Sequence, residues 1–284
     1  MRKPDELIRD RYKVICVLGE ASRGVVYKVF DQDANREAAL KMLSEEAAND
    51  ENWLRRAIKE GEILATIRHR AVVQFYSLEK EGRIPFLVME WIDGKRMAEI
   101  KEELRKDLPT LFHHFLELLD GINECHRRRA IHRNITPSNL LINIEGQLKI
   151  IDFGIAKTPE KLTKPGTILC NNPTYMAPEV CQGEKASESS DIYSIGVVIW
   201  EFLTGKIPFE IDATKPILNV RQLLDFSNLP LQMERFDAFP QFAPLRNIIE
   251  RMLEKQPRFR PTIDQIIANF KNEISGIITS STLR

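Results

Sequence analysis

Around Asp93-Gly94 the spacing of apolar residues changes, and that change restricts the chain to a two-part architecture. Before it, Tyr12, Val14, Cys16 and Leu18 alternate at period two, the pattern of a half-buried strand. Residues 25–30, 38–43, 72–78 and 86–89 continue in strand-forming residues, with a turn-rich Asp31-Gln32-Asp33-Ala34-Asn35 between two of them. Together they predict a five-stranded antiparallel sheet, interrupted by one helix over 52–67 whose apolar residues are Leu54, Ile58, Ile63, Leu64 and Ile67. After Gly94 the period becomes helical. Leu111, Phe115, Leu118, Leu119 and Ile122 form one stripe, and Leu245, Ile248, Ile249, Met252 and Leu253 form another. Two short strand fragments, 140–142 and 148–151, flank a turn at Gly146. The fold class expected is therefore α+β, with a sheet-rich unit over 12–90 and a helical one over 91–275.

Composition narrows the function. Of 284 residues, 43% are hydrophobic, enough for a packed core, and the 41 basic side chains are balanced by 41 acidic ones. A net charge of zero argues against nucleic acid or a membrane surface as partner. The Arg127-Arg128-Arg129 run reads as a solvated or peptide-facing patch. Cys16, Cys125, Cys170 and Cys181 have neither zinc-ligand nor redox spacing, which points to a reducing, cytoplasmic setting. No run of about 18 apolar residues predicts a membrane span. The longest apolar stretch, 192–203, is broken by Ser194, Gly196 and Glu201 and reads as a buried core helix. Residues 212–244 read as loop and short helix, and 279–282 as a frayed tail.

Several residues carry chemistry. Gly19-Glu20-Ala21-Ser22-Arg23-Gly24 lies between two strands, where glycines would let backbone N–H groups approach a phosphate. An ordinary hairpin turn is the other reading, and Ala21 stiffens the loop. Lys41 sits in an apolar strand, where it either snorkels to solvent or neutralises phosphates. Glu60 on the following helix is its candidate carboxylate partner, whereas Glu62 lies about 200° around the helix. Asn139 and Asp152 are oxygen donors of the kind Mg²⁺ accepts, although each alone could be a turn residue. Asp191 opens an apolar helix as a candidate N-cap, and Glu179 is placed to pair with Arg260 as a buried ion pair.

In this order, with His132-Arg133-Asn134, Asp152-Phe153-Gly154 and Ala177-Pro178-Glu179, the residues resemble the eukaryotic-like protein kinase family over about 12–270. Pro137 and Tyr175-Met176 resemble its serine/threonine branch. The resemblance implies a single bilobal protein-kinase-like domain over 1–284, with a five-stranded N-lobe, a mainly helical C-lobe, and ATP and Mg²⁺ as cofactors. It implies that Leu18, Gly19, Gly24 and Val26 cover ATP, with Ala39, Val26 and Leu141 around the adenine. Glu90 and Ile92 would offer hinge backbone bonds beside Met89 as gatekeeper. Lys41, paired with Glu60, would contact phosphates, and Asn139 and Asp152 would hold the metal. Leu64, Phe75, His132 and Phe153 would stack between the lobes. Residues 152–179 would form the activation segment, with Thr163 and Thr167 as phosphate acceptors and Arg133 as their partner. The implied partner is a protein substrate or binding partner, with self-association as the route to autophosphorylation.

Three departures bear on activity. Asn134 stands where the family places its catalytic aspartate, Thr136 where it places a lysine, and Asn171-Asn172 where it places Gly-Thr. A carboxamide can orient a hydroxyl but cannot take its proton, and losing a general base costs about 10²–10⁴ in rate. Two readings follow: a serine/threonine kinase with weakened or abolished transfer, and a nucleotide-binding pseudokinase acting through a partner surface. A small-molecule kinase of similar fold is a third, disfavoured by Ala177-Pro178-Glu179 and the helix after Asp191.

Overall fold

The computed structural model describes residues 2–21, 24–44, 49, 51–153, 173–209 and 229–282; several side chains within these ranges, that of Glu60 included, lie outside the description. Its first part is a curled antiparallel sheet of six strands: β1 (Leu7–Ile8), β2 (Tyr12–Ala21), β3 (Gly24–Asp31), β4 (Arg36–Leu43), β5 (Phe75–Glu81) and β6 (Ile84–Glu90). They are ordered β1-β2-β3-β4-β6-β5. The expected count of five missed β1, which is only two residues long and too short for any alternation to register. Beside β1, the Arg11 guanidinium binds both oxygens of the buried Asp31 carboxylate, at 2.7 and 2.8 Å. Ile8, Tyr12, Val14, Tyr27, Val29, Leu40, Phe86 and Val88 fill the inside of the curl.

Gly24 illustrates how tightly these strands are drawn together. A Cβ there would lie 1.9 Å from the Met42 carbonyl oxygen on β4, so only glycine admits that approach. The expected role of Gly24 was to admit a phosphate; the close neighbour found is a backbone carbonyl of the next strand. Helix α1 (Glu51–Thr66) packs against β5, with Leu64 buried and Leu54 partly so, but Ile58 is exposed, contrary to the predicted stripe.

The second part is built on α2 (Leu108–Arg127) and α3 (Glu188–Thr204), joined by α4 (Arg246–Met252) and α5 (Ile263–Thr282). All five residues of the predicted α2 stripe are buried, and so are those of the 245–253 stripe. Helix α3 is almost wholly enclosed and crosses the core as expected. Its N-cap is Ser187, in a reciprocal capping box with Ser190, and its C-cap is the left-handed Gly205. Asp191 is therefore not the cap; it lies in the first turn and does something else.

A small sheet of β7 (Gly94–Arg96), β8 (Leu140–Asn143) and β9 (Leu148–Ile150) lies under the cleft. Strand β9 is pinned to α2 in two ways. Gly121 lets Ile150 approach so closely that a Cβ would lie 2.7 Å from its Cδ1. The buried Glu117 carboxylate accepts the Leu148 N–H at 3.1 Å. Burial pushes Glu117 up, but its bonds to His114 and Leu148 outweigh this and leave it below the usual carboxylate range. The end of β9, where Asp152 follows, is thereby fixed to the core of the second part.

Candidate active site

The cleft between the two parts is lined by six of the residues singled out in the sequence, Lys41, Leu64, Phe75, Met89, Asp152 and Phe153. Strand register places Lys41 opposite both Val26 on β3 and Leu87 on β6, and Ala39 opposite Met89. Residues two apart on a strand share a face. Gly19 (paired with Val26), Val26, Ala39, Lys41, Leu87 and Met89 thus lie on one face of the sheet. That face looks into the cleft, because Lys41, Leu87 and Met89 line it with Leu64, Val73, Phe75, Asp152 and Phe153. A Cβ on Gly19 would meet nothing within 4 Å, so the backbone there borders open space. Leu18 lies on β2 beside it, 40% exposed. Leu141 is on β8 below, and Ile92 is buried just after β6.

Lys41 reaches down from β4 to Asp152, with Nζ 2.5 Å from Oδ1. The expected partner Glu60 is on α1, but its side chain lies outside the described residues; the cation's described partner is Asp152. The second Asp152 oxygen, Oδ2, accepts from Asn134 Nδ2 at 3.1 Å, and the same Nδ2 lies 3.4 Å from the Asp152 carbonyl. Asn139 Nδ2 donates to the Asn134 carbonyl at 2.8 Å. That bond commits the amide nitrogen of Asn139 to the loop and leaves its oxygen as the ligating atom. With the Asp152 carboxylate, the donor set is one of hard oxygens, which fits a Mg²⁺-like cation. Where an aspartate at 134 would have added another negative oxygen, this chain offers an N–H donor.

Asp191 explains how the loop carrying Asn134 is held. Its buried carboxylate accepts the His132 N–H at 2.8 Å, the Arg133 N–H at 2.9 Å and His126 Nε2–H at 2.9 Å. Arg133 takes a left-handed backbone, φ 65°, and so does Asp152, φ 56°. This conformation is uncommon for non-glycine residues, and here the bonds to Asp191 help hold Arg133 in it. His132 Nε2 lies 3.1 Å from the Ile151 carbonyl, and its ring centroid is 4.5 Å from that of Phe153. Leu64, Phe75 and Phe153 meet at the back of the cleft, so the four residues expected to stack across the lobes are in one place.

Glu179 and Arg260 form the anticipated buried pair, bidentate at 2.7 and 2.8 Å. Burial raises the Glu179 carboxyl, but Arg260 and Ser190 together bring it below its ordinary value. Two further arrangements were not foreseen. Glu90 pairs with Lys149 on β9 at 2.7 Å while accepting the Gln74 N–H at 3.0 Å, and its own N–H is committed to the Gln74 carbonyl. Glu201 on α3 accepts from Tyr175 at 2.6 Å and Lys101 at 3.1 Å. Both join residues far apart in sequence, and nothing in local spacing signals them. Asn171, Asn172, Thr163, Thr167 and Gly154 lie outside the described residues; Thr136 is buried in the loop.

Such a cleft, with a lysine from a curled sheet meeting a strand-end aspartate and an asparagine-bearing loop below, defines a nucleotide-dependent phosphotransferase scaffold. Comparison with known proteins agrees. Residues 12–270 match the protein kinase domain family. Curated relatives include the serine/threonine-protein kinase PknL of Mycobacterium tuberculosis, 32% identical over 86% of this chain and 63% of its own length. PrkC of Bacillus subtilis is 33% identical over 72% and 32%. A probable serine/threonine-protein kinase, pknA2 of Bifidobacterium longum, is 32% identical over 74% and 28%. The chain thus spans less than two thirds of the length of these relatives. The crystal structure of the Mycobacterium tuberculosis PknI kinase domain superposes with a TM-score of 0.73 at 20% identity, covering 96% of this chain and all of that one. The chain belongs to the eukaryotic-like serine/threonine protein kinase family.

Proposed function

We propose that this chain binds Mg-ATP in the cleft and transfers the γ-phosphate to serine or threonine hydroxyls of a protein, with transfer weakened or abolished by Asn134. The observation that carries the reading is the bonded set of Lys41, Asp152, Asn134 and Asn139 between the two parts. Lys41 binds the α- and β-phosphates, while Asn139 and Asp152 supply the oxygens that hold Mg²⁺, whose charge offsets that of the phosphates. Ala39, Val26 and Leu141 flank the adenine, Glu90 and Ile92 present backbone groups to its edge, and Leu18, Gly19 and Gly24 roof it. Asn134 orients the acceptor hydroxyl through its amide oxygen, because its nitrogen faces Asp152. It cannot accept the hydroxyl proton, which must leave to a phosphoryl oxygen or to solvent. Self-association would serve autophosphorylation, and cysteines without zinc-ligand or redox spacing suit a cytoplasmic setting. No helix among the described residues is long and apolar enough to cross a membrane.

The bond from Asn134 Nδ2 to Asp152 favours a second reading, a nucleotide-binding pseudokinase acting through a partner. Radiolabel transfer from ATP separates the two. This chain and its Asn134→Asp form are compared, with autophosphorylation and a generic basic protein as acceptors. Activity raised by about 10²-fold or more in the aspartate form supports the kinase reading. Silence of both forms, with Mg-ATP binding intact, removes it and leaves the pseudokinase.

A further inference from the structure

We propose that Asn134 stands in for part of the metal's role, so that this chain binds adenine nucleotides without a divalent cation. The inference rests on the nucleotide-binding reading above and concerns what that binding requires. Asp152 Oδ1 is bound by Lys41 at 2.5 Å, and Oδ2 by Asn134 Nδ2 at 3.1 Å. Asn139, the other oxygen donor, is tied by its nitrogen to the Asn134 carbonyl at 2.8 Å. The carboxamide orientation follows from chemistry: turned about, its oxygen would face a carboxylate oxygen, and only the N–H donor makes a bond there.

Consider the same vertex with a carboxylate. Two anionic oxygens would face each other at about the present 3.1 Å, and the group of Lys41, Asp152 and residue 134 would carry a net negative charge. A polyphosphate anion entering that group would need a divalent cation to neutralise both sets of charges. With asparagine these three side chains carry one negative charge fewer, so an entering anion meets less repulsion beside Lys41 than it would with aspartate at 134. The cation's benefit is also smaller. To ligate Asp152 it must compete with a lysine ammonium and a carboxamide N–H, and the atom of residue 134 that faces Asp152 is a nitrogen, which does not ligate a hard cation. Both effects act in one direction: nucleotide affinity becomes less dependent on metal.

Calorimetric titration of ADP and of ATP into this chain tests this, with excess Mg²⁺ and separately with EDTA. The expected result is a Kd in EDTA within roughly threefold of that in Mg²⁺. For Asn134→Asp, binding in EDTA should be at least about tenfold weaker than in Mg²⁺. Should that variant fail to fold, Asn134→Ala, which deletes the donor without adding charge, is expected to move toward metal dependence. Binding of the unmodified chain in Mg²⁺ alone would overturn this inference and leave the functional reading standing. Equal metal independence in Asn134→Asp would overturn the assignment to Asn134. Absence of binding in both buffers would remove the functional reading itself, and this inference with it.

Discussion

Replacing Asp191 by alanine should unfasten the catalytic loop and cost much of the domain's stability. Its carboxylate is 1% exposed and accepts from the His132 and Arg133 amides and from His126. Alanine leaves both amides without this acceptor, in a site closed to bulk water. A buried donor stripped of its partner costs about 1–3 kcal/mol, so the two amides account for roughly 2–6 kcal/mol before the imidazole is counted. The loop can recover part of this by relaxing Arg133 from φ 65°, a conformation held at a cost of about 1–2 kcal/mol. The net expectation is a loss of about 2–4 kcal/mol, a large share of a stability of about 5–15 kcal/mol. Asp191→Asn should fall short of this, since one amide keeps an acceptor while the other meets an NH₂. Urea denaturation followed by far-ultraviolet circular dichroism gives the stabilities, and hydrogen exchange of the His132 and Arg133 amides gives the local effect. A loss below about 1 kcal/mol with unchanged protection at both amides would refute the reasoning, because it would mean the loop holds its left-handed turn unaided.

The Glu90–Lys149 pair should couple the end of β6 to β9: a double-mutant cycle with Glu90→Gln and Lys149→Met is expected to give about 1 kcal/mol in urea melts, and a value near zero would mark it as an idle surface pair. Gly24→Ala should destabilise the sheet by about 1–3 kcal/mol and weaken nucleotide binding, since β3 must move away from the Met42 carbonyl. Stability should fall on acidification, because Glu117 and Glu179 are both held below their ordinary values. Groups lowered on folding stabilise above the unfolded value, near pH 4.3, and that contribution is lost as pH falls through the lowered folded values. Glu117→Gln should therefore lose less stability than the parent between pH 7 and about pH 3.5, as read by urea melts at the two pH values.

What the sequence disclosed depended on the range of the interaction. The α2 stripe of Leu111, Phe115, Leu118, Leu119 and Ile122 was legible because its residues share a helix face, and all are buried. The α3 run was legible because a helix apolar all round has nowhere to go but the core. Leu7–Ile8 was not, since two residues set no period, and Ile58 was misread because it fits the helical spacing yet faces solvent. Of the site, resemblance supplied Lys41, Asn139 and Asp152, and the strand register brings Lys41 over the cleft. The partner of Asp191 could not be read from its position near a helix start, where an N-cap is the ordinary use of aspartate. The groups that donate to its carboxylate lie 58 to 65 residues away, and only folding reveals them. The Glu90–Lys149 bond spans 59 residues and was hidden for the same reason.

Binding and transfer are separable in this cleft because different elements supply them. The cleft-facing side chains proposed to hold the nucleotide come from β3, β4 and β6, and their common face follows from sheet register. The group that would receive the hydroxyl proton comes from the loop that Asp191 fastens to α3. Exchanging one oxygen for an NH₂ at 134 leaves the strands, the Asp191 clamp and the Glu179–Arg260 pair without reason to change. At the loop tip it places a hydrogen bond to Asp152 where a carboxylate would stand as a like charge. On the proposed function, the asparagine that lacks the base also spares the resting cleft a like-charge contact with Asp152. On that argument Asn134→Asp should raise transfer and lower the stability of the nucleotide-free protein together. If the aspartate form proved as stable as the parent in metal-free buffer, the Asn134–Asp152 bond would have no energetic weight.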